Sequence, residues 1–275
     1  MLATRMRMAS GSAGYALFGD DPASLDGVDF FHGTPEIGMI VFKTAGTYSI
    51  TPSEAGNVEV LVVAGGGATF NVNAGSAYTS GAGGGGIEYD DAYTITEDEA
   101  ITVKVGAGGV RSSSATVTAG GGSQFGILTP GGGLKTTDTT GAASGSPQSN
   151  AGGARNTTGG GSGGGAGEAG SAGPGTTSGA NGAAGLEYFG FGYGGAGAGG
   201  GYNAAPGGVG QDGGGNGASN GNVGTAPIPN SGGGGGGAGP TAAKSCLGSS
   251  GAKGIVIVRW GGYSKNYNAT TNAVT

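Results

Sequence analysis

The chain has 275 residues, of which 73 are glycine and only 10% are charged, with a single cysteine and a formal net charge of −6. Collagen is excluded, because it needs glycine strictly at every third position and about 15–20% proline; so are a disulfide framework and a cysteine-rich metal site. The 11 basic residues are not clustered as nucleic-acid binding requires.

Glycine is unevenly spread. Eight of the 73 precede position 65 and two follow position 254, so 63 lie in the 190 central residues, against about 7% in ordinary proteins. The first stretch, "MLATRMRMASGSAG", has two arginines but no apolar run behind them, so it does not read as a secretory signal. No stretch has the 18 or more consecutive apolar residues of a membrane span. The expectation is a product made in the cytoplasm, with no membrane insertion, that leaves the cell by a route other than a cleaved signal. Residues 1–36 show no clear period and read as an attachment segment, since lone termini are ordered mainly when they dock on something.

From Ile37 the pattern sharpens. "IGMIVFKTAGTYSITP" alternates around Thr44-Ala45-Gly46, with Ile40 and Phe42 and then Tyr48 and Ile50 on one face, which is a hairpin pattern. "NVEVLVVAGGG" reads as a buried strand ending abruptly in glycine. "YTITEDEAITVKVGAGG" gives strands at 93–96 and 101–105 around an acidic turn, and "KGIVIVRW" at 253–260 closes the set. Apolar β-branched runs of this length are strands rather than helices, and no segment carries a helical period.

Between the strands lie glycine runs at 83–86, 120–122, 131–133, 159–165, 194–201 and 232–239, separated by spacers rich in Ser, Thr, Asn and Ala. Polyproline II geometry, rising about 3.1 Å per residue, leaves every N–H and C=O pointing sideways. Without side chains in the way, neighbouring runs can pack closely and exchange those bonds. One isolated run cannot offset its ordering entropy, so a stack of runs is expected, with strands at its ends to set the register. The fold class is therefore mainly β with polyglycine II helices, a glycine-rich helix sandwich capped by short β-strands with very little α-helix. Its parts are the segment 1–36, a glycine-rich domain at 37–262 and a tail at 263–275.

Motifs for chemistry are weak. In "VLVVAGGGATF", Phe70 stands where a dinucleotide fingerprint requires glycine and no helix pattern follows. "GPTAAKS" has Lys244 before Ser245, but Ala243 replaces the glycine of a phosphate loop. "GGVGQDGGG" places Asp212 as a calcium nonapeptide would, yet Gly214 occupies its apolar position and the motif occurs once. His32 is the only histidine and reads as a surface or interface residue. Asp20–Asp21, Asp90–Asp91 and the acidic run at 97–99 sit in turns as solvated charge. No enzyme activity, cofactor or metal is expected, and Cys246 reads as a small buried hydrophobe. The rings Tyr188, Phe189, Phe191, Tyr193 and Tyr202 are expected to cover the open side of the glycine stack, with an exposed ring platform as the functional reading.

In order, "FKTAGTYSITP", "NVEVLVVAGGG", "YTITEDEAITVKVGAGG", "GSQFG", "TPGGG", the glycine blocks and "GAKGIVIVRW" resemble the glycine-rich domain of bacteriophage tail-fibre and tail-tip proteins. The chain is similar, more loosely, to the adhesins at the fibre tips of T-even-like phages, whose glycine segments form polyglycine II sandwiches. A distant likeness in style is to the glycine-rich ectodomain segment of the anaplastic lymphoma kinase receptor. The stretch "ATFNVNAGSAYTS" at 68–80 departs from the usual pattern as an insertion.

The resemblance implies a virion adhesin whose spacers contact a host surface protein or glycan, with other virion proteins bound through residues 1–36 and an oligomeric assembly. Loops carry function more often than packed elements, and tyrosine and arginine dominate interface energetics. The candidate receptor contacts are therefore Tyr78, Arg111, Lys135, Arg155, Tyr188 and Tyr202. The alternatives are a purely structural virion or filament subunit and, less well matched by the irregular spacers, an ice-binding protein.

Overall fold

The computed structural model describes residues 28–34, 37–71, 79–111, 117–136, 140–156, 159–175, 177–262, 267–268 and 273–274. Its regular elements are strands, and no helix occurs among the described residues. In chain order these are β1 (Val28–Thr34), β2 (Ile37–Phe42), β3 (Gly46–Ile50), β4 (Gly56–Val63), β5 (Ile87–Ile95), β6 (Ile101–Val105) and β7 (Gln124–Phe125). They are followed by β8 (Leu186–Tyr188), β9 (Phe191–Tyr193), β10 (Ile255–Trp260), β11 (Tyr267–Asn268) and β12 (Ala273–Val274). The largest sheet has the order β1-β2-β10-β4-β5 and a smaller one the order β3-β6-β7, while β8-β9 and β11-β12 pair separately.

Alternation within each strand explains why two layers face one another. Ile40, Phe42, Val58, Val60, Val62, Val256 and Val258 of the large sheet pack on Ile50, Ile101, Val103, Val105 and Phe125 of the small one. The intervening residues Met39, Val41, Leu61, Val63, Ile255 and Ile257 project to the opposite face. Strands β2, β4 and β10 are therefore apolar on both sides, as continuous Val/Ile runs demand. At the end of β10, Trp260 lies opposite Gly38, where an added Cβ would run into the indole ring.

Two expectations change. The alternation on either side of Thr44-Ala45-Gly46 is real, but β2 and β3 do not form a hairpin: β2 pairs with β1 and β10, and β3 pairs with β6. Both strands carry core-facing residues, so the chain turns a corner and places them in opposing layers. The corner is fastened by the Tyr48 hydroxyl, which donates to Thr44 O at 2.8 Å, and by Tyr48 lying 5.3 Å from the Phe42 ring. The strand expected at 93–96 begins earlier, at Ile87, and β1 falls within the stretch read as the attachment segment.

The glycine runs leave directly from strand ends at Val63, Ile87, Val105 and Ile255. Run 64–69 donates in rotation: Ala64 to Gly86 O, Gly65 to Gly121 O and Gly66 to Ala252 O, then Gly67 to Gly83 O, Ala68 to Thr118 O and Thr69 to Ser249 O. The same three neighbours return at every third residue, unlike the two-residue period of a strand.

Run 79–86 repeats the pattern. Gly81 and Gly84 donate to Gly161 and Gly164, Ala82 and Gly85 to Gly235 and Gly232, and Gly83 and Gly86 to Leu134 and Gly131, at 2.8 to 3.2 Å. Its own carbonyls accept from Gly67, from Gly197 and from Ala142 and Gly145, so the run is bonded on all sides. Of the three longest glycine runs, 194–201 bonds both to 159–165 and to 232–239, and those two reach each other through 79–86. The approach is so close that an added Cβ at Gly84 would strike the carbonyl of Gly194, and one at Gly197 that of Gly235.

Candidate binding surface at the loop end

The bonding register gives the stack two different ends. Ala64 pairs with Gly86 and Gly67 with Gly83, and positions 64 and 86 adjoin the sheets. Thr69 and Thr79 are therefore the far ends of their runs. By the same registers, positions 110, 118, 134–136, 141, 154, 159, 173, 179, 201, 218, 239 and 248 also lie away from the sheets. We refer to this as the loop end, because the spacers joining those positions emerge there.

Arg111, Lys135, Arg155 and Tyr202 all stand at the loop end, each just past the far end of a run. Tyr78 precedes Thr79 in the chain but lies outside the described residues. Lys135 is exposed, while Arg111 and Arg155 are half-buried. Arg111 is the most firmly placed: its Nη1 donates to Gly248 O at 3.0 Å and its backbone N–H to Ser250 Oγ at 3.2 Å. Around Tyr202 the spacers brace one another. Tyr202 N–H donates to Thr177 O, Asn203 N–H to Pro240 O, Asn220 N–H to Asn203 O and Gly221 N–H to Gly239 O. Asn203 and Asn220 adopt positive φ, at 52° and 55°, conformations that asparagine tolerates better than most residues. These cross-links make the surface a braced platform.

Tyr188 does not belong to this group. It sits on β8 at the sheet end, half-buried, with its ring 4.7 Å from Tyr89. Burial raises its hydroxyl pKa. The expectation that the rings cover the glycine stack is corrected accordingly: Leu186, Tyr188, Phe189 and Phe191 pack on the outer face of the large sheet, with Tyr193 fully buried between. Phe189 lies 4.3 Å beneath the Arg259 guanidinium, and Arg259 Nε pairs with Glu59 at 3.3 Å. The Tyr89 hydroxyl donates to the same carboxylate at 2.5 Å. Apolar sheet residues attract these rings more strongly than bare glycine backbone, which has no side-chain area to bury.

Residues singled out for other chemistry have structural partners here. The Asp212 carboxylate accepts from Gly185 N–H at 2.8 Å and braces the β8–β9 hairpin. Cys246 is buried against Ala238 and Phe70, and burial pushes its thiol up to about 11 against the opposing pull of Lys244. Lys244 itself, set aside as a failed phosphate loop, is exposed at the loop end in the spacer before run 248–254. It had the same signal as Lys135, a long cation in a spacer next to a run.

The architecture defines a scaffold of backbone-bonded glycine runs, anchored on two facing sheets and presenting braced spacers at its far end. The glycine-rich domain family model matches residues 43–261, and the chain belongs to that family. No curated protein matches it.

Proposed function

We propose that the protein is a bacteriophage tail-fibre or tail-tip adhesin that holds a host-cell surface molecule with its loop end. The observation that carries this reading is polarity. The strands β1 and β10, which border residues 1–27 and 263–275 in sequence, both belong to the large sheet, whereas the spacers with Arg111, Lys135, Arg155 and Tyr202 emerge opposite. A particle can then hold the sheet end, through residues 1–36, while the loops face outward. The three-residue recurrence of bonding partners supports reading the runs as polyglycine II helices, whose three-fold symmetry sends successive N–H groups in three directions. Such a scaffold lets spacers vary without disturbing the packing beneath.

The test is adsorption. Purified full-length chain, fluorescently labelled, is expected to bind a subset of bacterial strains and to lose that binding when Arg155 and Tyr202 are changed to alanine. Absence of binding to every strain, together with normal incorporation into particles, would favour a structural virion subunit instead.

A further inference from the structure

The sign of the charge changes along the stack. At the loop end the described charged residues are Arg111, Lys135, Arg155 and Lys244, with no carboxylate among them. Asp138, three residues past Lys135 in sequence, lies outside the described residues. The acidic residues of the described chain, Asp90, Asp91, Glu168, Glu187 and Asp212 among them, all stand in the sheets or on turns facing them. A chain with a net charge of −6 thus presents a positive end.

The cations are also grouped. The runs carrying Arg111 and Lys135 and the run that follows Lys244 each bond to run 64–69: Gly109 donates to Gly66 O, Gly133 to Gly65 O, and Gly66 and Thr69 donate to Ala252 O and Ser249 O. Arg111 and Lys135 therefore flank the far end of run 64–69, and the Lys244 stem lies against Gly221 beside the end of the neighbouring run 232–239, with Arg155 further out. Val110, Leu134 and Leu247 are exposed beside them and add apolar contact area.

From this placement we infer that the loop end binds an anionic surface polysaccharide, one bearing phosphate or carboxylate groups along its chain. The inference rests on the adhesin reading above and names the chemistry of its receptor. Charge of one sign gathered at an exposed end speeds encounter with a polyanion and makes binding fall with ionic strength. A Lys or Arg on a braced loop meets sulfate, phosphate or carboxylate through charge-assisted hydrogen bonds. The negative sheet end keeps the molecule from lying flat on the same polymer.

The test uses the full-length chain on immobilised dextran sulfate, on neutral dextran and on phosphatidylglycerol vesicles. The triple variant Lys135→Glu, Arg155→Glu, Lys244→Glu is compared with Lys104→Glu, an exposed cation on β6 at the sheet end. Lys135→Gln with Lys244→Gln serves as the milder pair if the triple variant fails to fold. Expected are binding to dextran sulfate but not to dextran, a loss of about tenfold or more in the loop-end variants, no change in Lys104→Glu, and weakening in high salt, where screening shortens to a few ångströms. Equal binding to neutral dextran, equal effects of the two sets of variants, or binding to the vesicles alone would overturn it. Cell adsorption separates the two readings. If the triple variant adheres to cells as well as the parent does, the polyanion inference fails and the adhesin reading stands. If the parent adheres to no cells yet binds dextran sulfate through these cations, the adhesin reading fails and the surface chemistry stands.

Discussion

At the scale of single residues, the glycines act by absence. A Cβ at Gly235 would strike the backbone carbonyls of Ser249 and Ser250, neither of which can give way without breaking a run. Gly235→Val is therefore expected to cost about 3 kcal/mol or more and lower Tm by roughly 6–12 °C. Gly175, whose Cβ would meet nothing within 4 Å, is the control: Gly175→Ala should stay within about 0.5 kcal/mol. Equal melting of the two variants would refute close packing at Gly235. Where the stack admits a side chain, hydroxyls replace lateral bonds. Thr69 Oγ1 donates to Gly236 O at 2.9 Å and accepts from Ser249 N–H at 2.6 Å, and Thr79 Oγ1 accepts from Ala238 N–H. Titration gives a second residue-scale expectation. The Tyr89 hydroxyl is raised beyond its ordinary range by burial first and then by its hydrogen bond to Glu59, and the Cys246 thiol by burial to about 11. Both groups hold their protons longer in the folded chain than in the unfolded one. The Cys246 contribution is thus complete below about pH 9 and is lost as pH rises through 9 to 11, whereas that of Tyr89 is complete below about pH 10 and is lost above it. Urea midpoints measured across that window should fall, and Cys246→Ser should flatten the early part of the decline.

At the scale of elements, the β8–β9 hairpin is a strap over the large sheet, fastened by the buried Tyr193, by Phe189 under Arg259 and by the Asp212 carboxylate. Tyr193→Ala should cost about 3–5 kcal/mol, as truncating a buried ring does, and leave loop-end binding intact in whatever fraction stays folded. Loss of binding by fully folded Tyr193→Ala protein would tie the strap to the site. Strand positions were legible because Val, Ile and aromatic residues alternate or run together in "NVEVLVV", "ITVKV" and "IVIV". Pairing was not. The residues around Thr44-Ala45-Gly46 fit a hairpin and a sheet-to-sheet corner equally well, and only the partner faces of β6 and β10 decide between them. The strand at Val28–Thr34 was missed because "VDFFHGT" has no clean period. The candidate loop-end residues were legible one by one, since Arg111, Lys135, Arg155 and Tyr202 stood out as long side chains in small-residue spacers. Their gathering at one end was not, because glycine runs carry no side-chain pattern that names a neighbour. Tyr188 satisfied the same criterion and lies on the sheet.

At the scale of the whole molecule, the connections that hold the stack are long in sequence. Thr69 bonds to Ser249, Thr79 to Ala238 and Gly66 to Ala252, and the sheets close only when β10 inserts between β2 and β4. A run in the interior has no stable arrangement without its neighbours, since each lateral bond contributes only about 0.5–1.5 kcal/mol against the ordering of its backbone. The runs also continue the strands without a linker, as at Val63 into Ala64 and Gly254 into Ile255. The expected consequence is a single cooperative unfolding transition for sheets and stack together. Trp260, buried between the two sheets, reports the sheets by fluorescence. On the proposed polyglycine II geometry, far-UV circular dichroism in the region of extended left-handed helices reports the runs. The two curves should coincide in urea, and refolding should be slow for the chain's size because non-local contacts dominate. If the dichroism signal is lost well before the fluorescence changes, the runs are a separately folding layer. Loop-end variants would then have to be checked for loss of the stack before any lost binding is assigned to the site.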